Sequence, residues 1–284
     1  MAEYIPTVLF PELSDPAVAA LQETYPDSAR QAELGVHLQF DDIPLEQAAE
    51  MLRKDEVDVV VAGIAHDTPT VLRTAIHGIN KALDPHHKRP ITSFFIMEKE
   101  GQDPYFFADC AVHLRPDPDL LVTIAEQTVT SVRNLGYEPV VAFLSLSTFG
   151  SAGHLDGVKE VKEAAAKFKE RNSGTIAYGE IQVDAAVDPR IFEKKAKAAG
   201  VQIVDGKMPN VFIFPDGSSG NIGYKLAEQL AGYTAVGPML DGTLKEIHDS
   251  SRGATTEALA REAYYAGLLF KSRHALAEDM PQAA

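Results

Sequence analysis

A β-branched apolar run, a short polar or glycine-bearing loop and an amphipathic helix follow one another repeatedly along this chain. That alternation restricts the fold more than any other feature. Residues 57–64 form the first clear run, Ala65-His66-Asp67-Thr68 follow, and a helix is predicted from Pro69. Thr68 reads as its N-cap and Pro69 as its first residue, with Leu72, Ala75, Ile76, Ile79 and Leu83 on one face. The second unit is 140–146, the loop Ser147-Thr148-Phe149-Gly150-Ser151, and a helix to about Lys169 with Leu155, Val158, Val161, Ala165 and Phe168 inward. The third is 210–214, the loop 215–221, and a helix carrying Tyr224, Leu226 and Leu230. Near the end, Asp249-Ser250-Ser251-Arg252-Gly253 leads into a last helix with Leu259, Ala263, Ala266 and Phe270 on one face, with no convincing strand before it. Such repetition means an α/β fold with a largely parallel sheet, whose ligands sit outside the carboxyl ends of the strands. The acidic, proline-punctuated segment 14–47 reads as helix, turn and short strand, and the tail 278–284 is expected to fray.

Bulk properties narrow the partners. With 284 residues the chain can hold two α/β domains or one large one, and 45% apolar residues suffice for a proper core. The formal charge of −15 argues against nucleic acid and anionic membrane. No apolar stretch approaches the roughly 18 residues of a membrane span, and Met1-Ala2-Glu3-Tyr4-Ile5-Pro6 does not begin a signal peptide. One cysteine, Cys110, can make neither an internal disulfide nor a multi-thiolate metal site, so a reducing, cytoplasmic setting is expected. An anionic ligand would have to be held by locally positive loops against the overall field.

Three loops have the makings of an anion site, with glycines that admit close approach and hydroxyls that donate: 147–151, 217–223 and 250–253. None matches a Walker A loop or a dinucleotide G-x-G-x-x-G. Arg252, just before a helix start, can add a bidentate contact to a phosphate oxygen. Arg73, in the second turn of its helix, can reach back to the Thr68 loop. The plain alternative for each arginine is a surface ion pair. Cys110 sits in an apolar run and reads as a small buried hydrophobe rather than a nucleophile. The adjacent His86 and His87 lie in a turn and point different ways, so no metal site is expected, and Asp184 is either a strand-end carboxylate or a cap.

Specific strings then carry a resemblance. They are Leu9-Phe10-Pro11-Glu12, Phe107-Ala108-Asp109-Cys110-Ala111-Val112, Ser145-Leu146-Ser147-Thr148-Phe149-Gly150-Ser151-Ala152 and Gly179-Glu180-Ile181-Gln182-Val183-Asp184-Ala185-Ala186. Ile213-Phe214-Pro215-Asp216, Gly220-Asn221-Ile222-Gly223-Tyr224-Lys225-Leu226 and Asp249-Ser250-Ser251-Arg252-Gly253 complete the series. In this order they resemble the phosphate acetyltransferase (phosphotransacetylase) and phosphate butyryltransferase family. The resemblance implies two α/β/α domains of the isocitrate/isopropylmalate dehydrogenase-like kind with an interdomain cleft, split as 1–96 plus 243–284 and 97–242. It implies acyl transfer between coenzyme A and phosphate (acetyl-CoA + phosphate = acetyl phosphate + CoA), by direct thiolate attack on the acyl phosphate. No tightly bound cofactor or metal is implied, and a homodimer is expected. Ser251, Arg252 and Arg73 match the family's catalytic residues. Thr68, Ser93, Ser147, Thr148, Gly150, Ser151, Asn221, Tyr224 and Lys225 are the implied substrate-binding set. Five departures stand out: Ala258 replaces the aspartate thought to take the thiol proton, Val140 an arginine, Phe149 a lysine, and His113 and His248 asparagines. They keep open an alternative, a non-catalytic regulatory paralogue that binds acyl-CoA or acyl phosphate. A dehydrogenase lacks the metal-binding carboxylates and ribose-binding acid it would need here.

Overall fold

The computed structural model describes residues 4–152, 154–204 and 206–278; the expected frayed tail beyond Glu278 lies outside them. The chain divides into two compact units, Met1–Ile91 with Val236–Ala284, and Thr92–Ala235.

The first unit runs β1 (Thr7–Phe10), α1 (Pro16–Thr24), α2 (Ser28–Gln31), a 3-10 turn at Ala32–Leu34, β2 (His37–Phe40), α3 (Leu45–Arg53), β3 (Val59–Ala62) and α4 (Thr68–Arg73). A π-helical stretch, Thr74–Asn80, then leads to α5 (Lys81–Leu83). The second unit follows with β4 (Thr92–Glu98), β5 (Tyr105–Ala108), α6 (Pro118–Asn134), β6 (Val140–Leu144), α7 (Asp156–Arg171), β7 (Ile176–Ile181), α8 (Val183–Val187), α9 (Pro189–Ala199), β8 (Val211–Ile213) and α10 (Gly217–Ala231). The chain then runs through β9 (Thr234–Asp241), β10 (Glu246–Asp249) and α11 (Thr256–Glu278).

One sheet has the order β10-β3-β1-β2 and its pairings are all parallel. The other is β7-β6-β8-β5-β4-β9, parallel from β7 to β5 and antiparallel between β5 and β4. This is the mixed α/β fold with largely parallel sheets that the sequence pattern predicts. Val59, Val60, Val61 and Ala62 are buried on both faces, as a covered parallel strand requires. Helix starts are set by one recurring device: Asp15, Asp117 and Asp188 each cap a helix whose first residue is proline, accepting from Ala17 N–H, Leu120 N–H and Arg190 N–H.

The structure corrects several expectations. The cap of α4 is Asp67, which accepts from Thr70 N–H, and Thr68 is the first helical residue. The π stretch inserts extra residues into the turn, so the buried row is Val71, Ala75 and Ile79, whereas Ile76 and Leu83 turn outward. Leu155 lies at the α7 start and is exposed. On α10 only Gly220 and Tyr224 are buried; Leu226 is 51% and Leu230 80% exposed. A strand does precede Ser250: β10 is buried throughout, although three of its four residues, Glu246, His248 and Asp249, are ionisable. The last helix buries Leu259, Ala263, Ala266 and Phe270 as expected.

Candidate active site

Adjacent strands bring three loops to the carboxyl edge of the four-stranded sheet. β1, β3 and β10 lie side by side, with Val8 opposite Val59 and Ala62 opposite Asp249, so the residues after each emerge together. Glu12, after β1, is 3% exposed. Its carboxylate accepts from Gly63 N–H at 3.3 Å and Ile64 N–H at 2.9 Å, both after β3, and also bonds His66 Nδ1. The third loop is fastened to the second: Thr68 Oγ1 donates to Asp249 Oδ2 at 2.6 Å, and Ser250 N–H to the Ala62 carbonyl at 2.5 Å. Gly63 makes this approach possible. It sits at φ +102°, and a Cβ there would run into Asp249 Oδ1 and stand 2.7 Å from the Ser250 carbonyl oxygen.

Burial shapes the charges of this edge. It pushes the Asp249 carboxyl up to about 6, helped by Glu12 and Asp67 and opposed by the Thr68 hydrogen bond. Glu262, on α11, accepts from Ser250 Oγ at 2.7 Å; burial pushes it up to about 8, so it carries its proton at neutral pH. His248 accepts from Leu240 N–H at 3.1 Å, and burial drives it down to about 3, leaving a neutral imidazole. Hydrogen bonds from Thr70 hold Asp67 below the usual carboxylate range, with the positive charges of Arg252 and Arg73 adding to the effect. Among the described residues neither guanidinium enters an ion pair. Ser251 is half-buried between the buried Ser250 and the exposed Arg252, and its Oγ accepts from Gly253 N–H at 3.4 Å.

The remaining sequence-predicted residues lie in the second unit, and there the loops are largely self-satisfied. Ser147 is fully buried; its hydroxyl donates to Glu180 Oε1 at 3.0 Å, and Gly150 N–H reaches the same oxygen at 2.5 Å. Thr148 Oγ1 donates to Gln182 Oε1 at 3.1 Å, and Ser151 Oγ accepts from Thr148 N–H at 3.0 Å. Glu180, unnoticed as an anchor in the sequence, thus takes donors that could have faced an external anion. Ser93 is buried and donates to Asp109, whose carboxylate also accepts from Ala111, Val112 and His113 N–H. Tyr224 is a core residue, its ring stacked on Phe95 at 4.0 Å between centroids. Lys225 lies over that tyrosine's ring at 4.8 Å and is exposed. Asn221 donates to the Cys110 carbonyl at 3.4 Å and lines a cavity of about 390 Å³ with Val112, His113 and Ser218. Gly220 is required where α10 crosses the Asp109–Cys110 backbone, since a Cβ would lie 2.5 Å from the Asp109 carbonyl oxygen. Cys110 is buried, and burial raises its thiol well above the usual range. His87 Nε2 lies 3.0 Å from the Gly242 carbonyl, and the backbone N–H of His86 donates to Asp84 Oδ1. Asp184 lies in the first turn of α8 and pairs with Lys195 at 3.0 Å. No cluster of three or more His, Cys, Asp or Glu is placed for a metal among the described residues, and none of their helices is long and apolar enough to cross a membrane.

Comparison with known proteins decides the family. The family model described as phosphate acetyl/butaryl transferase matches residues 34–266. The chain belongs to this family. A phosphate acetyltransferase of Staphylococcus epidermidis is 35% identical over 262 residues, covering 87% of this chain and 75% of the relative. The phosphate acetyltransferase of Paracoccus denitrificans is 39% identical over 220 residues, 75% of this chain and 67% of the relative. Among solved structures, the EutD phosphotransacetylase from Staphylococcus aureus superposes with a TM-score of 0.73 at 28% identity and covers 94% of both chains.

Within this phosphate acyltransferase family, three of the positions singled out in the sequence, Ala258, Val140 and Phe149, are packed, and His113 is half-buried. Ala258 is 6% exposed on α11, one turn before Glu262 on the same helical face. Val140 is buried at the start of β6. Phe149 holds a left-handed conformation, φ +51°, with its ring 6.5 Å from that of Phe192. These three side chains, Ala258, Val140 and Phe149, all make apolar contacts.

Proposed function

We propose that this chain transfers a short acyl group between coenzyme A and phosphate, interconverting acetyl-CoA plus phosphate with acetyl phosphate plus CoA. The observation that carries the reading is the loop after β10. It presents Ser251 and Arg252 beside the loop after β3, and the guanidiniums of Arg252 and Arg73 are free of ion pairs among the described residues. Two arginines at one edge suit a phosphoryl dianion and the charge that grows on the acyl oxygen during attack. In this reading the Ser251 hydroxyl donates to the thiol or the carbonyl. A covalent acyl-enzyme is not needed, and Cys110, buried with a raised thiol pKa, is poorly suited to form one.

Finer points belong to the same proposal. Thr68, Ser93, Ser147, Thr148, Gly150, Ser151, Asn221, Tyr224 and Lys225 remain the proposed substrate-binding set; Thr68, Gly150, Ser151, Asn221 and Lys225 are accessible, and the buried Ser93, Ser147, Thr148 and Tyr224 shape the loops. A homodimer is favoured by an exposed apolar row, Ile222, Leu226 and Leu230, spaced one turn apart along α10. A cytoplasmic setting agrees with the single buried thiol. The comparisons lend nothing to the non-catalytic alternative. Calorimetry with acetyl-CoA, desulfo-CoA and NAD tests the reading: both CoA compounds bind if it is right, and binding of NAD alone overturns it.

A further inference from the structure

Glu12 and His66 are 54 residues apart, yet they form the most organised polar pair at the carboxyl edge of the first sheet. Glu12 is buried, and both of its oxygens accept backbone N–H groups, one from Gly63 and one from Ile64. A carboxylate used in this way is an acceptor, so the proton in its bond to His66 belongs to Nδ1. Nε2 is then the nitrogen with the free lone pair. It has no partner among the described residues, and the His66 side chain is 32% exposed, so this nitrogen is open to a ligand. A buried carboxylate that fixes the tautomer and turns the other ring nitrogen outward is the arrangement a general base requires.

Its position matches the chemistry. His66 follows β3, and Ser251 and Arg252 follow the adjacent parallel β10; the Thr68–Asp249 and Ser250–Ala62 hydrogen bonds tie the two loops within a few residues of both. Ala258, buried on α11, offers only a methyl group and cannot take a proton. The other acids of the edge are engaged or uncharged, and Asp67 caps α4 through Thr70 N–H. Glu262 is buried and still protonated at neutral pH, and Asp249 already holds Thr68.

We propose that His66 is the proton carrier for acyl transfer, with Glu12 as its positioning residue; this rests on the acyl-transfer reading above. Nε2 accepts the thiol proton of CoA, and the thiolate attacks the carbonyl carbon of acetyl phosphate. The carbon–sulfur bond forms as the carbon–oxygen bond to phosphate breaks. The proton passes from Nε2 to the departing phosphate, which leaves as hydrogen phosphate, so protons and charge balance.

The test measures full-length wild type, His66→Ala and Glu12→Gln with acetyl phosphate and CoA, adding free imidazole to the first variant. His66→Ala should lose about 10²-fold or more in kcat, keep KM for both substrates within about threefold, and regain at least about tenfold with imidazole. A purely structural histidine would give no such rescue. Imidazole ¹⁵N NMR of the unliganded wild type should show the Nδ1–H tautomer at His66, shifting toward a mixture in Glu12→Gln. An active wild type with an equally active His66→Ala, or an Nε2–H tautomer, overturns the dyad alone. An inactive wild type that binds CoA overturns the reaction as well.

Discussion

Replacing Glu262 with glutamine should stabilise the protein, and by an amount that depends on pH. Glu262 is buried on α11, with Oε2 bonded to Ser250 and Oε1 without a partner among the described residues. Burial raises its pKa from 4.5 to about 8. The unfolded chain therefore releases this proton near pH 4.5, and the folded protein holds it until about pH 8. Between those values the unfolded state binds fewer protons, so stability is full below pH 4.5 and falls as pH rises toward 8. From pH 4.5 to 7 the interval is about 2.5 pH units at ~1.36 kcal/mol each, roughly 3 kcal/mol. Glu262→Gln keeps the shape, lets the amide bond Ser250, and removes the titration. It should match the wild type near pH 4.5 and exceed it by roughly 3 kcal/mol at pH 7. Asp249, raised to about 6 chiefly by burial, is present in both proteins, and its charge adds to the burial that keeps the Glu262 proton in place. Urea unfolding followed by circular dichroism at pH 5, 7 and 8.5 gives the comparison. A variant less stable than wild type at pH 7, or a difference independent of pH, would refute the reasoning.

Arg252→Ala should weaken phosphate or acetyl phosphate binding more than Lys225→Ala, because a bidentate fork is lost along with a charge; equal effects in calorimetry would move the anion site elsewhere. Cys110→Ala should retain most acyl transfer and leave no acyl-protein adduct by mass spectrometry after acetyl-CoA treatment, whereas a stoichiometric thioester at Cys110 would overturn direct attack. Ala258→Asp should raise acetyl phosphate thiolysis about 10-fold, mainly in kcat, if a second base is useful at that edge. No gain in a folded, CoA-binding variant would mean that residue 258 does not limit the reaction.

The sequence disclosed what depends on local patterning. Valine-rich runs followed by helical periodicity gave the parallel sheets. The apolar surroundings of Cys110 foretold its burial. What escaped depends on contacts distant in sequence. β10 looked unlike a strand because Glu246 is charged, and Arg273, at 2.5 Å, helps make its burial tolerable. The π stretch after Arg73 shifted a helical face that no periodicity count would flag. In the Ser147–Ser151 loop, donors read as free for an anion already face Glu180, 30 or more residues downstream. Glu12 was legible only as part of a Pro-Glu turn; its bond to His66 required β1 and β3 to be neighbours.

The central claim is that this edge of parallel strands carries out acyl transfer, and turnover tests it most directly. Purified protein is given acetyl-, propionyl- or butyryl-CoA with phosphate, the released thiol is followed, and the acyl phosphate is trapped with hydroxylamine. The account predicts phosphate-dependent release of CoA with one of these thioesters, matched mole for mole by trapped acyl phosphate and lost in Arg252→Ala. Folded protein that binds CoA yet releases no thiol above the buffer rate, or releases it without phosphate, would contradict it.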